Sequence, residues 1–122
     1  WITPAIWKIK QPYNVNAAGA AAARATLGHR DKLKEQTQAI IAERERLDKN
    51  LREVSWLDPY PSRANFILCR VKGRDAARVK ERLSQQGILI RYFNKPGLDD
   101  HIRISVGKPS DTEVLIQALR KL

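Results

Sequence analysis

The 122-residue chain has the length of one ordinary domain, and its 43% hydrophobic content is typical of a globular protein. No apolar run approaches the roughly 20 residues of a membrane-spanning helix, so we expect no such helix. Methionine is absent and the chain begins with Trp1, so we expect a processed chain or an excised piece. The single cysteine, Cys69, excludes an internal disulfide and favours a reducing, cytoplasmic setting.

The formal net charge of +10 raises the question of a polyanionic partner. Residues 28–53 hold seven Lys/Arg against six Asp/Glu, which is typical of a solvated helix face. The excess lies in residues 63–91, with eight basic residues against two acidic ones. Aromatic residues interleaved with the basic ones are mostly missing there, and no RNP-type or G-x-x-G motif is present. Nucleic-acid binding is therefore disfavoured, although a free-standing basic module that binds a polyanion stays as an alternative.

The first part of the chain, residues 1–54, is predicted to contain only helices and turns. An alanine-rich helix is predicted over residues 17–27. Asn14 or Asn16 can cap its start, since a short polar side chain accepts a free backbone N–H there, and Gly28 suits its end. So many small side chains allow close packing, so we expect this helix to lie against something large.

A long helix is predicted from about Arg30 to Glu53. Its apolar residues recur every seven positions and form one seam: Leu33, Ile40, Leu47 and Val54. Thr37 and Arg44 interrupt the second seam that a coiled coil would need. We therefore expect a connecting helix between two bodies.

The chain after residue 54 is predicted to be β-β-α-β-β-α. Alternating apolar residues indicate a strand over residues 64–71, and helical periodicity follows over residues 74–86. Two strands then flank a polar loop, and Ser110 with Glu113 matches a capping box that begins the last helix. The fold class is α+β: a small, mostly antiparallel sheet with helices on one face, preceded by the all-helical segment.

Two arginines stand out in the last strand pair, G-I-L-I-R-Y-F-N-K-P-G-L-D-D-H-I-R-I-S-V-G. Strand alternation places Arg91 with Leu89 and Phe93 on one face, and Arg103 with Ser105. Guanidinium groups held on rigid strands suit a double anion site. The alternative is that each arginine simply faces solvent.

No catalytic constellation accompanies these arginines. The chain has two histidines and one cysteine, without metal-ligand spacing, and no phosphate-binding glycine loop. His101, beside Asp99 and Asp100, suits a surface turn. We therefore predict no catalytic, cofactor-binding or metal-ligating residue in this chain, which resembles an anion-binding body without a reactive group.

Three motifs resemble those of the histidinol-phosphate aminotransferases, which are pyridoxal-phosphate enzymes of the aspartate-aminotransferase fold type. They are K-Q-P-Y-N-V-N at 10–16, Y-P-S-R-A-N-F-I-L at 60–68, and G-I-L-I-R with H-I-R-I-S-V-G within 87–107. The resemblance is to the C-terminal part of that family. It implies that residues 1–28 end the large cofactor-binding domain, that 29–54 form the connecting helix, and that 55–122 form the small domain.

The resemblance also implies roles for individual residues. Arg103 matches the arginine that clamps the substrate carboxylate or its equivalent anion, and Arg91 matches the arginine associated with the substrate phosphate. Tyr13 and Asn14 match a turn near the subunit interface of a homodimer. Asn65 matches a motif residue without an assigned role, for which a hydrogen bond in a turn or at a strand end is the simplest expectation.

The whole enzyme would transfer an amino group between glutamate and imidazole-acetol phosphate in histidine biosynthesis, with histidinol phosphate and 2-oxoglutarate on the other side of the reaction. Its cofactor would be pyridoxal 5'-phosphate. The family's S-K-x-x-x-x-x-G-x-R motif with the Schiff-base lysine is absent here, so we expect the chain alone to be inactive. The alternatives are a threonine-phosphate decarboxylase, an aromatic aminotransferase, the basic binding module already named, or a purely structural assembly piece.

Overall fold

The computed structural model describes residues 1–10 and 14–122. Within these ranges it contains five helices and four strands, in the order α1 (Thr3–Ile9), α2 (Ala17–Leu27), α3 (Arg30–Arg52), β1 (Leu57–Pro59), β2 (Phe66–Val71), α4 (Ala76–Gln85), β3 (Arg91–Tyr92), β4 (His101–Ser105) and α5 (Pro109–Lys121). The chain divides into two compact units, Trp1–Glu35 and Gln36–Leu122. No helix in the described ranges combines the length and apolar character needed to cross a membrane.

The first unit contains α1 and α2, and neither helix has a buried residue. The side chain of Asn16 accepts a hydrogen bond from the Gly19 N–H at 2.7 Å, which confirms one of the two predicted caps of α2. Gly28 follows the helix as predicted. Large apolar side chains such as Trp1 and Trp7 remain exposed in this unit.

The second unit is built on an antiparallel sheet with strand order β1-β2-β4-β3. This confirms the predicted α+β class and the β-β-α-β-β-α order. β3 is shorter than the predicted strand and pairs with β4 only at Arg91 and Tyr92. The preceding segment is tied to α4 instead, because the Ile88 N–H donates to the Leu83 carbonyl at 2.9 Å.

One face of the sheet forms the hydrophobic core with the helices. The buried sheet residues are Ile67, Cys69, Val71, Ile102 and Ile104. They pack in one cluster with buried residues of three helices: Leu47 and Leu51 of α3, Ala76, Val79 and Leu83 of α4, and Leu115, Ile116, Ala118 and Leu119 of α5. Each fully buried leucine or isoleucine contributes about 1.5–3 kcal/mol of transfer free energy. The opposite face of the sheet stays free of these helices.

The predicted capping box of α5 is wrong by two residues. The helix begins at Pro109, and the Asp111 carboxylate accepts a hydrogen bond from the Lys108 N–H at 2.9 Å. Proline is favoured at the first helical position because it needs no N–H partner there. The close approach of Asp111 also requires Gly107, since a Cβ at that position would lie 2.7 Å from the carboxylate oxygen.

Candidate functional site

Arg91 and Arg103 lie directly opposite each other on neighbouring strands. The antiparallel register pairs Arg91 of β3 with Arg103 of β4, and Arg103 in turn pairs with Leu68 of β2. The neighbouring row, Cys69, Ile102 and Tyr92, belongs to or packs against the core. Because side chains alternate along a strand, the row of Leu68, Arg103 and Arg91 points away from the core helices. We call this side of the sheet the arginine face; its members are Phe66, Leu68, Arg70, Arg91, Arg103 and Ser105.

Arg103 is a half-buried cation that lacks a polar partner among the described residues. Its guanidinium carbon lies 5.0 Å from the centre of the Phe66 ring. Its Nε is buried and has no hydrogen-bond partner among the described residues. A buried donor without a partner is unfavourable, by about 1–3 kcal/mol for a neutral group and more for a charged one. An anion bound to the fork of the guanidinium would remove that penalty.

Arg91 occupies the edge strand and is exposed. Its guanidinium carbon lies 5.6 Å from the ring centre of Phe93, which confirms that the two side chains share a face. No carboxylate in the described ranges pairs with Arg91 or Arg103. Like charges at directly opposite positions destabilise an antiparallel pair. The two arginines therefore form a positively charged site that the described residues leave uncompensated.

Several other arginines of the second unit pair with carboxylates. Arg70, also on the arginine face, lies 2.7 Å from the Asp100 carboxylate, whose hydrogen bond raises the pKa of the guanidinium. On α3 and α5, Arg46, Arg52 and Arg120 make comparable ion pairs. Arg44 and Arg63 likewise have no carboxylate partner in the described ranges, so what distinguishes Arg91 and Arg103 is their direct register on one face of the sheet.

His101 lies in a cluster that sequence reasoning missed. It is buried rather than placed on a surface turn, so that expectation is wrong. Its Nε2 lies 3.2 Å from the Tyr60 hydroxyl, with the rings stacked 5.6 Å apart, and its Nδ1 lies 2.5 Å from the Asp100 carboxylate. The hydrogen bond from Arg70 lowers the pKa of Asp100. Tyr60 is 41 residues away in sequence, so no local pattern predicts this contact.

The remaining predicted residues have simpler surroundings. Tyr13 lies outside the described residues, and Asn14 is exposed in the first unit. The Asn65 backbone carbonyl accepts a hydrogen bond from the Val106 N–H at 2.8 Å, a bond that does not involve its side chain. Burial raises the pKa of the Cys69 thiol to about 12, which removes it as a nucleophile. No cluster of three or more metal-ligating side chains occurs in residues 1–10 and 14–122.

The arginine pair does not lie in an enclosed pocket. A groove of 860 Å³ runs between α3 and residues 61–65, but neither Arg91 nor Arg103 lines it. Arg91 borders a smaller, open depression of 520 Å³ beside α4. The second unit would therefore contact an anion bound to the two arginines from one side only, and it would form half of a binding site.

The sequence of this chain matches a known protein family. A family model described as aminotransferase class I and II matches residues 2–119. A histidinol-phosphate aminotransferase of Roseiflexus castenholzii is 49% identical over 120 residues, covering 96% of this chain and 32% of the relative. The chain thus spans about a third of the length of the curated relatives it matches.

Solved structures agree. The crystal structure of the histidinol-phosphate aminotransferase from Clostridium acetobutylicum superposes with a TM-score of 0.80 at 25% identity, covering 98% of this chain and 37% of the other. The enzyme from Sinorhizobium meliloti, solved in complex with pyridoxal-5'-phosphate, gives a TM-score of 0.74 at 32% identity, covering 96% and 34%. Since the family model spans nearly all of its residues, the chain belongs to the aminotransferase class I and II family.

Proposed function

We propose that this chain is the C-terminal part of a pyridoxal-phosphate-dependent histidinol-phosphate aminotransferase and that it supplies the arginines that bind the substrate anions. The observation that carries the proposal is the uncompensated pair of Arg91 and Arg103, in direct register on the arginine face. The identity of 49% to a relative of that name supports the choice of substrate.

The surroundings of the two arginines suit different anions. Arg103 is half-buried, and its fork can bind a planar carboxylate, or its equivalent anion, through two parallel hydrogen bonds. Arg91 is exposed at the sheet edge, where a doubly charged phosphate keeps part of its hydration. We therefore assign Arg103 to the anion common to all substrates and Arg91 to the phosphate of histidinol phosphate.

The organisation of the longer enzyme is part of the proposal. Residues 1–28 would end the large cofactor-binding domain, residues 29–54 would form the connecting helix, and residues 55–122 the small domain. The lack of any buried side chain in α1 and α2 supports the first assignment, because such helices need a larger body to cover their apolar residues. The enzyme would be a cytoplasmic homodimer in which the turn at Tyr13 and Asn14 lies near the subunit interface.

No lysine of this chain fits the role of the Schiff-base lysine. None of the ten lysines lies in an S-K-x-x-x-x-x-G-x-R motif, which the resemblance associates with that residue. The cofactor would instead be held by the remainder of the enzyme and would supply the electron sink for amino transfer. The part of this chain would be to bind and orient the substrate anions.

The test uses the longer protein that contains this chain. We expect amino transfer from histidinol phosphate to 2-oxoglutarate with a higher kcat/KM than for aromatic amino acids, and no release of carbon dioxide from threonine phosphate. The 122-residue chain should show no amino transfer and no salt-dependent binding of short RNA or DNA at physiological ionic strength. Carbon dioxide release, a preference for aromatic amino acids, or nucleic-acid binding would each replace the proposal with the corresponding alternative.

A further inference from the structure

The Y-P-S-R-A-N-F segment, residues 60–66, connects β1 to β2 and has no part in the proposed function. Its backbone is held by one half-buried hydroxyl. Ser62 Oγ donates to the Phe66 carbonyl at 2.5 Å and accepts the Ala64 N–H at 3.1 Å. Because Ser62 Oγ makes both hydrogen bonds, it fixes the backbone position of Phe66 at the start of β2.

The end of this turn is also tied to β4, the strand that carries Arg103. The Asn65 carbonyl accepts the Val106 N–H, and Phe66 pairs with Ser105 in the register. Arg103 precedes Ser105 by two residues and therefore shares its face. Phe66 is thus the diagonal cross-strand neighbour of Arg103, a separation that aromatic and long side chains bridge.

The Phe66 ring is the main contact that can orient the guanidinium. The guanidinium carbon lies 5.0 Å from the ring centre, within the range of a cation–π interaction. Nε is buried without a hydrogen-bond partner in the described part of the chain, and no ion pair is made there. With no polar anchor among the described residues, the Phe66 ring is the contact available to orient the guanidinium.

We infer that Phe66 is a positioning residue for Arg103, and that Ser62 holds Phe66 in the position this requires. The ring orients the fork of the guanidinium before the substrate anion arrives, so less ordering remains to be done on binding. This inference rests on the proposed function in one respect: Arg103 must bind a substrate anion for Phe66 to affect kinetics.

The kinetic test compares Phe66→Leu, which removes the ring but keeps an apolar side chain, with Phe66→Tyr, which keeps the ring. In the full-length enzyme we expect Phe66→Leu to raise KM for glutamate and histidinol phosphate by about three- to thirtyfold, while kcat changes less. Phe66→Tyr should stay within about twofold of the wild type. Equal KM increases in both variants, or unchanged KM in Phe66→Leu, would overturn the inference.

A double substitution separates positioning from general damage. In an Arg103→Gln background, Phe66→Leu should change KM by no more than about twofold, because its effect passes through the missing guanidinium. An undiminished effect of Phe66→Leu in that background would overturn the inference. If Arg103→Gln alone left KM unchanged, the anion role of Arg103 in the proposed function would fail.

A spectroscopic test decides the positioning role independently of activity. In the NMR spectrum of the 122-residue chain, the Arg103 Nε–H should carry a ring-current shift that Phe66→Leu removes and Phe66→Tyr retains. Ser62→Ala should move the signal in the same direction as Phe66→Leu. Phe93→Leu, the same chemical change beside Arg91, should leave it in place. An Arg103 signal unaffected by Phe66→Leu would refute the role of Phe66, and one unaffected by Ser62→Ala would refute that of Ser62.

Discussion

Individual arginines on this sheet differ in whether the protein neutralises them. Arg70 and Arg103 share a face, yet only Arg70 has a carboxylate within 4 Å among the described residues. Two uncompensated cations in direct register weaken the sheet, so a contribution to folding stability does not account for this arrangement. Residues that bind substrate commonly lower the stability of the protein without it.

The thiol of Cys69 gives a prediction at the scale of one residue. The side chain is fully buried, and burial raises its pKa to about 12, so the folded chain holds a neutral and inaccessible thiol. We expect iodoacetamide at pH 8 to label Cys69 no faster than the chain opens. Mass spectrometry of the native chain and of the chain in urea measures this directly. Rapid labelling of the native chain would contradict the packing described for β2.

Some of the site was predictable from single residues. Strand alternation placed Arg91 with Phe93, because a two-residue period needs no knowledge of the remaining fold. The contacts of Arg103 with Phe66, and of His101 with Tyr60, join positions more than 30 residues apart in sequence. They depend on the order and register of strands, which no local pattern contains.

Among the structural elements, α3 and α5 are joined by a buried carboxylate. Glu43 of α3 accepts hydrogen bonds from Thr112 of α5 and from the Nε and a terminal nitrogen of Arg46. Arg46 also donates to the Pro109 carbonyl at 2.6 Å, at the start of α5. This network sets how the first turn of α5 sits on α3, beside the end of β4.

Replacing this carboxylate should weaken the junction in a pH-dependent way. Glu43→Gln should lower the free energy of unfolding by about 1–3 kcal/mol at pH 7, since Thr112 and Arg46 lose a charged partner. The hydrogen bond from Arg46 lowers the pKa of Glu43. Its stabilisation is therefore complete above the unfolded pKa, near about 4.3, and is lost as the pH falls through the lower, folded pKa.

Urea unfolding at pH 7 and at about pH 3 measures this difference. The gap between the wild type and Glu43→Gln should shrink at the lower pH. Glu45→Gln is the matched control on the exposed side of α3 and should change neither value. A gap that is the same at both pH values would show that Glu43 acts only through its shape.

The start of α5 was predicted two residues too late from the sequence pattern. Ser110 and Glu113 have the spacing of a capping box, but the observed bond joins Lys108 and Asp111, two residues earlier. Glu113 instead lies 3.6 Å from Arg46 of α3. Because Glu113 faces Arg46, it is not used for capping, and Asp111 caps the helix instead.

For the whole molecule, the order of elements was predictable and their arrangement was not. Alternation and helical periodicity are local, so β-β-α-β-β-α followed from the sequence after residue 54. The strand order β1-β2-β4-β3 includes the long-range pairing of β2 with β4, and it places Arg103 of β4 between Leu68 of β2 and Arg91 of β3. Several of the basic side chains form ion pairs, so the net charge of +10 does not by itself identify a binding partner.

Arg91 and Arg103 are proposed to bind different substrate anions, and alanine substitution of each in the full-length enzyme separates the two roles. Arg103→Ala should lower kcat/KM by about ten- to a hundredfold for both glutamate and histidinol phosphate, whereas Arg91→Ala should do so mainly for histidinol phosphate. Arg78→Ala, an exposed arginine on α4, serves as the control and should change neither value. Equal losses for the two substrates in Arg91→Ala would contradict the assignment of Arg91 to the phosphate.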